Sequence, residues 1–320
     1  MKKLIFISVI LQLSCSLNAQ QLPYYTQFVS NAFMLNPAIT GTKGLVNATM
    51  DYRSQWVGYD GAPQTSSASL HSRFLNGTMG AGLYVMQDKV GPTQQTNVGG
   101  SYAYHIRFPD CELSAGVAGN YTKFAIIGSK VLLHNSQDPS IDQFNTNSVG
   151  IPDASAGVYL YNDRFHIGFS ALHLLKSQAD LLSTKDSTKK GLIKYFTQLY
   201  ATLGYNYSQT PNFIFENNLF CNYIKGVPLM LDYTLRVHYK QQVFTGISIR
   251  LRDAIAIHAG VTILTHLQIS YSYDILISKF RNYSTGTHEI VLIYNFNRSV
   301  NDKNNLRRSK FAHQKYSNLF

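Results

Sequence analysis

His266-Leu267-Gln268-Ile269-Ser270-Tyr271-Ser272-Tyr273-Asp274 is the stretch whose reading decides the fold. In an extended chain successive side chains point to opposite faces, so Leu267, Ile269, Tyr271 and Tyr273 share one face. His266, Gln268, Ser270, Ser272 and Asp274 share the other. The pattern recurs upstream. Leu199, Ala201, Leu203, Tyr205 and Tyr207 oppose Gln198, Tyr200, Thr202, Gly204 and Asn206. Leu229, Leu231, Tyr233, Leu235 and Val237 oppose Asp232, Thr234, Arg236 and His238. Ile255, Ile257, Ala259 and Val261 oppose Ala254, Ala256, His258 and Gly260. Period-two alternation runs from residue 46 to residue 297, and no long helical period interrupts it.

Strands are expected at 46–53, 65–73, 79–87, 95–106, 111–124, 153–161, 164–171, 196–207, 212–221, 227–238, 242–250, 254–261, 266–274 and 288–297. Most have the ~9–11 residues a tilted membrane-spanning strand needs. The intervening segments sort by parity. Every second one (74–78, 107–110, 162–163, 208–211, 239–241, 262–265) is short, whereas most of the others (54–64, 88–94, 125–152, 172–195, 222–226, 251–253, 275–287) are long, two of them over twenty residues. Outer-membrane barrels have short periplasmic turns and longer outer loops. The expected fold is therefore all-β: a transmembrane antiparallel β-barrel of about fourteen strands in the outer membrane, with both termini periplasmic. Its apolar face would meet outer-membrane lipid.

The ends of the chain agree with export. Lys2 and Lys3 precede the apolar run Leu4–Leu13, and Ala19 offers a small residue for cleavage, so 1–19 reads as a signal peptide. Cys15 raises lipidation as an alternative, but the lipobox leucine position holds Gln12, and Cys15 is expected to leave with the signal. Residues 20–45 form an N-terminal segment before the barrel. They are too apolar for a solvated tail (Phe28, Phe33, Met34, Leu35) and are expected at the periplasmic mouth or as a plug in the lumen. The barrel is 46–297, and 298–320 is a basic periplasmic tail.

Composition narrows the class further. The 22 Tyr and 18 Phe suit strands and interfacial girdles, and mean hydropathy is slightly negative. Of 28 basic residues Lys2 and Lys3 belong to the signal, leaving 26 against 17 acidic. Much of that excess lies in the tail (Arg298, Lys303, Arg307, Arg308, Lys310, Lys315), so no basic stripe crosses the folded part and nucleic acid is not an expected partner. Cys111 and Cys221 fall at opposite ends of their strands, too far apart for a disulfide, and two free thiols are expected.

An ordered set of motifs follows the signal: Leu35-Asn36-Pro37-Ala38 with Gly41, Arg53-Ser54-Gln55-Trp56, and Gly61-Ala62-Pro63-Gln64-Thr65. Asp153-Ala154-Ser155-Ala156-Gly157-Val158-Tyr159-Leu160-Tyr161, Tyr271-Ser272-Tyr273-Asp274 and Gly286-Thr287-His288-Glu289-Ile290 complete it. From about residue 22 to residue 297 the chain resembles the PorP/SprF family of outer-membrane proteins in the type IX secretion and gliding-motility apparatus of Bacteroidota. One departure is Ile39-Thr40, where the family often has an aromatic residue and Ala. The resemblance implies a non-enzymatic part, without cofactor: support of export or surface attachment of a partner bearing a C-terminal sorting domain, such as a gliding adhesin. It also implies association with type IX components in the periplasm or outer membrane.

Asn36, Pro37, Arg53, Gln55, Trp56, Gly61, Ala62, Pro63, Asp274, His288 and Glu289 are the candidate motif or partner-contact residues. Physically, Asn36-Pro37 reads as a turn seating the N-terminal segment, and Gly61-Ala62-Pro63 as a loop turn. Trp56 reads as an interfacial anchor or a partner contact. Asp274 and Glu289 fall near the outer ends of adjacent strands, as ordinary rim carboxylates or a site for a cation or basic partner. There is no phosphate loop, paired-Cys motif, zinc helix or Gly-x-Ser-x-Gly elbow. Two other classes stay open: a channel for small or apolar solutes, and a barrel hydrolase using lumenal His238, His258 or His266 with nearby hydroxyls.

Overall fold

The computed structural model describes residues 23–43, 46–131, 146–180, 192–210, 212–263 and 266–296. The signal region with Cys15 and the basic tail lie outside these residues, as do the stretches of the two longest loops around Gln137 and Lys189. The strands are β1 (Val46–Ser54), β2 (Gln64–Phe74), β3 (Met79–Val90), β4 (Thr93–Arg107), β5 (Glu112–Ile127), β6 (Thr146–Tyr161) and β7 (Phe165–Leu172). Then come the short β8 (Gln178–Asp180) and β9 (Leu192–Lys194). The rest are β10 (Gln198–Thr210), β11 (Phe213–Ile224), β12 (Met230–Tyr239), β13 (Val243–Arg250), β14 (Ala254–Ile263), β15 (Leu267–Leu276) and β16 (Thr287–Phe296).

All but β8 and β9 join one closed antiparallel barrel, so fourteen strands form its wall. The ring closes where β1 pairs β16, with Arg53 directly opposite Glu289. Closure leaves the barrel wall no unpaired edge, which a spanning sheet requires in a medium that offers no hydrogen bonds. Among the described residues no helix is long and apolar enough to cross a membrane. Alternation sets the two faces. On β14, Ile255, Ile257, Ala259 and Val261 are exposed outward while Ala254, Ala256 and His258 are buried inward. On β15, Ser270, Ser272 and Asp274 point inward and are buried.

All fourteen expected strands occur, with shifted ends. The sequence reads 125–152 as one loop; the ladder instead carries β5 to Ile127 and starts β6 at Thr146, in register with it. Only Val149 and Ile151 alternate there, among Asn147, Ser148, Gly150 and Pro152, too few to mark a strand, and main-chain pairing to β5 decides. Similarly 88–94 shrinks to a tight turn at Gly91-Pro92, with Gly91 at φ +54. β4, β5 and β6 thus reach 15, 16 and 16 residues and stand above the rest of the wall. The β8–β9 hairpin packs on this extension, where Ile193, Tyr195 and Ala179 meet Ile151, Val149 and Phe124. The parity rule survives in coarser form. The connections 75–78, 108–111, 162–164, 211–212, 240–242 and 264–266 make a short-turn end, and 55–63, 128–145, 173–197 and 277–286 give the opposite end its length. Cys111 and Cys221 are both free.

Residues 23–43 occupy the lumen. Their first part touches Asp232, Asp274 and Glu289 near the long-loop end; their last part touches His71, Ser101 and His105 toward the short-turn end. The segment thus threads the barrel from one end to the other before β1 begins, so Tyr24 lies at the long-loop end while Phe296, opposite Val46, lies at the short-turn end, and the expectation that both ends of the chain share one side does not hold for the described residues. Phe28 and Leu35 join Leu172, Tyr200 and Phe220 in a core, with the Phe28 and Phe220 rings 4.9 Å apart. Each such fully buried side chain contributes about 1.5–3 kcal/mol. The turn Pro37–Ile39 is capped by Asn36, whose Oδ1 accepts from the Ala38 N–H at 2.9 Å. Asn36 Nδ2 donates to the carbonyls of Val158 and Phe169 at 3.1 and 3.4 Å. Gly116 and Gly157, opposite each other on β5 and β6, permit this approach: a Cβ there would lie 2.4 Å from the Pro37 carbonyl oxygen or 2.1 Å from Asn36 Oδ1.

Candidate functional site

Two structures occupy the long-loop end: a charged clamp in the lumen and an aromatic platform above it. The clamp centres on Arg53. Its Nη1 lies 2.8 Å from Glu289 Oε2 and its Nη2 3.2 Å from Asp274 Oδ2. Arg250 extends the network, with Nε 3.3 Å from Asp232 Oδ2 and Nη1 2.8 Å from Asp253 Oδ2 and 3.5 Å from Asp274 Oδ2. Asp274 and Glu289 are therefore not open rim carboxylates. They are 1% and 0% exposed and already ion-paired.

The N-terminal segment completes the network. The backbone N–H groups of Thr26 and Gln27 donate to the two oxygens of Glu289 at 2.8 and 2.7 Å. Thr26 Oγ1 donates to Asp274 at 2.8 Å and accepts from both Arg53 and Arg250. Tyr24 Oη donates to Asp232 at 2.5 Å, and the Arg250 guanidinium sits 3.9 Å from the Tyr24 ring centroid. Buried ion pairs stabilise only when further hydrogen bonds satisfy their charges, and the segment supplies donors to Glu289, Asp274 and Asp232, while Arg53 Nε and Asp274 Oδ1 have no partner among the described residues.

The platform is made by two loops that lock together. Val57 N–H donates to the Gly286 carbonyl, and Thr285 N–H to the Val57 carbonyl, each at 2.9 Å. Trp56 adopts φ +53 there and its N–H donates to Thr287 Oγ1 at 3.2 Å. Its ring packs 4.4 Å from Phe280, which also meets Tyr59 at 5.4 Å and Tyr283 at 6.1 Å. Tyr59 and Tyr283 are exposed, beside exposed Lys279 and Arg281. Gln55 N–H donates to the Pro63 carbonyl, and Ala62 N–H to that of Tyr59. The Gly61 carbonyl accepts from Gly91 N–H, pinning the first loop to the neighbouring turn. His288 faces outward, bonded to Tyr271 Oη at 2.7 Å.

The eleven candidate residues thus divide. Arg53, Asp274 and Glu289 form the clamp; Asn36 and Pro37 seat the plug; Gln55, Trp56, Gly61, Ala62 and Pro63 build the platform. His288 stands apart on the outer face. Sequence reasoning missed Tyr24, Thr26 and Arg250. Arg250 carried a signal, a charged residue at the end of an otherwise alternating strand. The Ser248–His258 pair at 2.6 Å is buried beneath the plug and bonded onward to Thr234, as polar lumen filling. No group of three or more candidate metal ligands occurs among the described residues.

A family model described as type IX secretion system membrane protein PorP/SprF matches residues 17–294. The chain belongs to the PorP/SprF family. Membership and the closed barrel put this PorP/SprF protein in the outer membrane, as part of type IX secretion. No curated protein matches it. Solved barrels resemble it in shape alone. The P. putida toluene transporter TodX is 9% identical at a TM-score of 0.49, over 86% of this chain and 96% of that one. The Ralstonia pickettii toluene transporter TbuX is 12% identical at 0.47, over 83% and 92%. The Acinetobacter baumannii outer membrane protein Omp33 is 10% identical at 0.44, over 78% and 96%.

Proposed function

We propose that this PorP/SprF protein is a non-enzymatic holder in type IX secretion: its long-loop end faces outside and supports export or attachment of a surface protein bearing a C-terminal sorting domain. The short-turn end then faces periplasmic components of the machine. The observation that carries this reading is the platform. Two loops far apart in sequence spend their main-chain bonds on each other and present Tyr59, Phe280 and Tyr283 on a rigid base. Tyr59 and Tyr283 are exposed and Phe280 between them is half-buried, and aromatics on a fixed scaffold are among the residues that dominate binding energy at interfaces. The filled lumen supports the same reading over the channel alternative, because it leaves the rims as the working surfaces.

Replacing Tyr59, Phe280 and Tyr283 together by Ala tests it. Hot-spot aromatics cost about 2 kcal/mol or more each when truncated, up to ~10⁴-fold for three if they added; because such costs are not additive, the cognate surface protein is expected to be retained at least ~100-fold less well. The barrel itself remains heat-modifiable. A tag inserted after Asp60 is labelled on intact cells, and one after Asp163 only after permeabilisation. Unchanged surface display in the triple variant, or the reverse labelling pattern, removes the proposal.

A further inference from the structure

Toward the short-turn end the plug does not fill the barrel completely. A cavity of about 210 Å³ remains between the plug and β6, β7, β10 and β11. Lys43, Tyr161, His166, Thr202, Glu216 and Asn218 supply its polar lining, and plug residues such as Ile39 its apolar side. Lys43 is exposed, so the cavity is reachable from that end. It is smaller than the ~300–1,000 Å³ of pockets that enclose drug-sized ligands, so it admits only a compact molecule or a chain end.

Its chemistry is unbalanced in two ways. The side chain of Asn218 is buried, and both its Nδ2 and its Oδ1 lack a hydrogen-bond partner among the described residues. Thr202 Oγ1 lacks one as well. Buried amides are ordinarily satisfied, and an amide with both ends free, facing a cavity, matches a ligand that offers an acceptor and a donor. Charge is the second imbalance. Glu216 is the single carboxylate lining the cavity among the described residues, and it already accepts from His238 Nε2 at 2.9 Å. Lys43 lines the cavity, and Arg236 stands directly opposite Glu216 in the ladder, with Nε and Nη2 unpartnered. Glu289 also acts on Arg236, from outside the cavity lining, but at the lining itself Lys43 faces a carboxylate already bonded to His238, which leaves a cation for a monoanion to meet.

We infer that this cavity is a binding site for a carboxylate flanked by an amide: the chemistry of an N-acylated amino acid or of a peptide's C-terminal residue. The carboxylate meets Lys43 and the adjacent amide pairs with Asn218. Gly204 gives the His166 ring its place beside the site, since a Cβ there would lie 2.0 Å from that ring.

The test is calorimetric titration of the full barrel in detergent with N-acetylalanine, its C-terminal amide, inorganic phosphate and a pentapeptide ending in alanine. Saturable 1:1 binding of N-acetylalanine is expected, at least tenfold weaker for the terminal amide and for phosphate. Asn218→Leu and Lys43→Gln each weaken it at least tenfold. Lys43 is exposed, so Lys43→Gln keeps the fold should Asn218→Leu disturb it. Binding of the pentapeptide as well assigns the ligand to chain ends; binding of the small acid alone assigns it to free acids. Absence of saturable binding to the wild-type protein, phosphate binding as well as the acid, or affinity unchanged in Lys43→Gln overturns the site. None of these readouts depends on the platform at the other end, so this inference and the proposed function fail separately.

Discussion

A variant lacking residues 23–43 will conduct ions through planar bilayers, where the full protein will show no resolvable steps. Fourteen strands enclose more space than their own inward side chains fill, and the space here is taken by Tyr25, Phe28, Phe33, Leu35 and the turn at Pro37–Ile39. The ladders that close the wall are made strand to strand, and the plug adds only side-chain bonds to a few wall carbonyls such as Val158 and Phe169, so the wall survives its loss. Asp232, Asp274 and Glu289, now buried against the plug, would face water in the emptied lumen, where ionised carboxylates are well solvated. The expected change is at least ~10-fold in conductance over the closed state, with a heat-modifiable band unchanged, in keeping with the water-filled lumen of unplugged barrels. Equal conductance with and without the segment would show that it does not seal the barrel.

Arg53→Met is expected to free the first half of the plug without emptying the lumen. Arg53 neutralises Asp274 and Glu289 together and also meets Thr26. Removing one partner of a buried pair costs about 3–5 kcal/mol, because the carboxylates left behind are uncompensated. Arg250 relieves Asp274 in part, but its distance there is 3.5 Å and it also serves Asp232 and Asp253. The cheapest relief is local: Thr26 and Gln27 detach and water reaches Glu289. Their amides donate to that carboxylate, so hydrogen exchange at Thr26 and Gln27 is the direct readout. At 1.4 kcal/mol per factor of ten, exchange there accelerates ~100-fold or more, while the amide of Ala38, bonded to Asn36, changes little. Adding Glu289→Gln to Arg53→Met restores part of the protection, since it removes the stranded charge. Unaltered exchange in the single variant would mean that the clamp does not hold the plug.

The sequence by itself determined the fourteen strands of the wall and the face of each that turns inward. Those are local properties: a period of two is written into eight or ten consecutive residues, as in Leu267–Asp274, and needs no partner to be read. It misjudged Thr146–Pro152, where only Val149 and Ile151 alternate and pairing with β5 makes the strand, and it read β8 and β9 as loop. What only the tertiary structure decided is which inward side chains meet. Arg53 and Asp274 are 221 residues apart and Thr26 and Glu289 are 263, and both contacts exist because β1 closes on β16 in one register. A shift of one residue would turn every side chain of a strand to the other face, yet nothing local to Arg53 states that its carboxylates lie on β15 and β16. The plug follows the same logic. Its apolar residues announce that they must be buried, but the path from the long-loop end to the short-turn end is set by the shape of a lumen that forms only when the barrel closes.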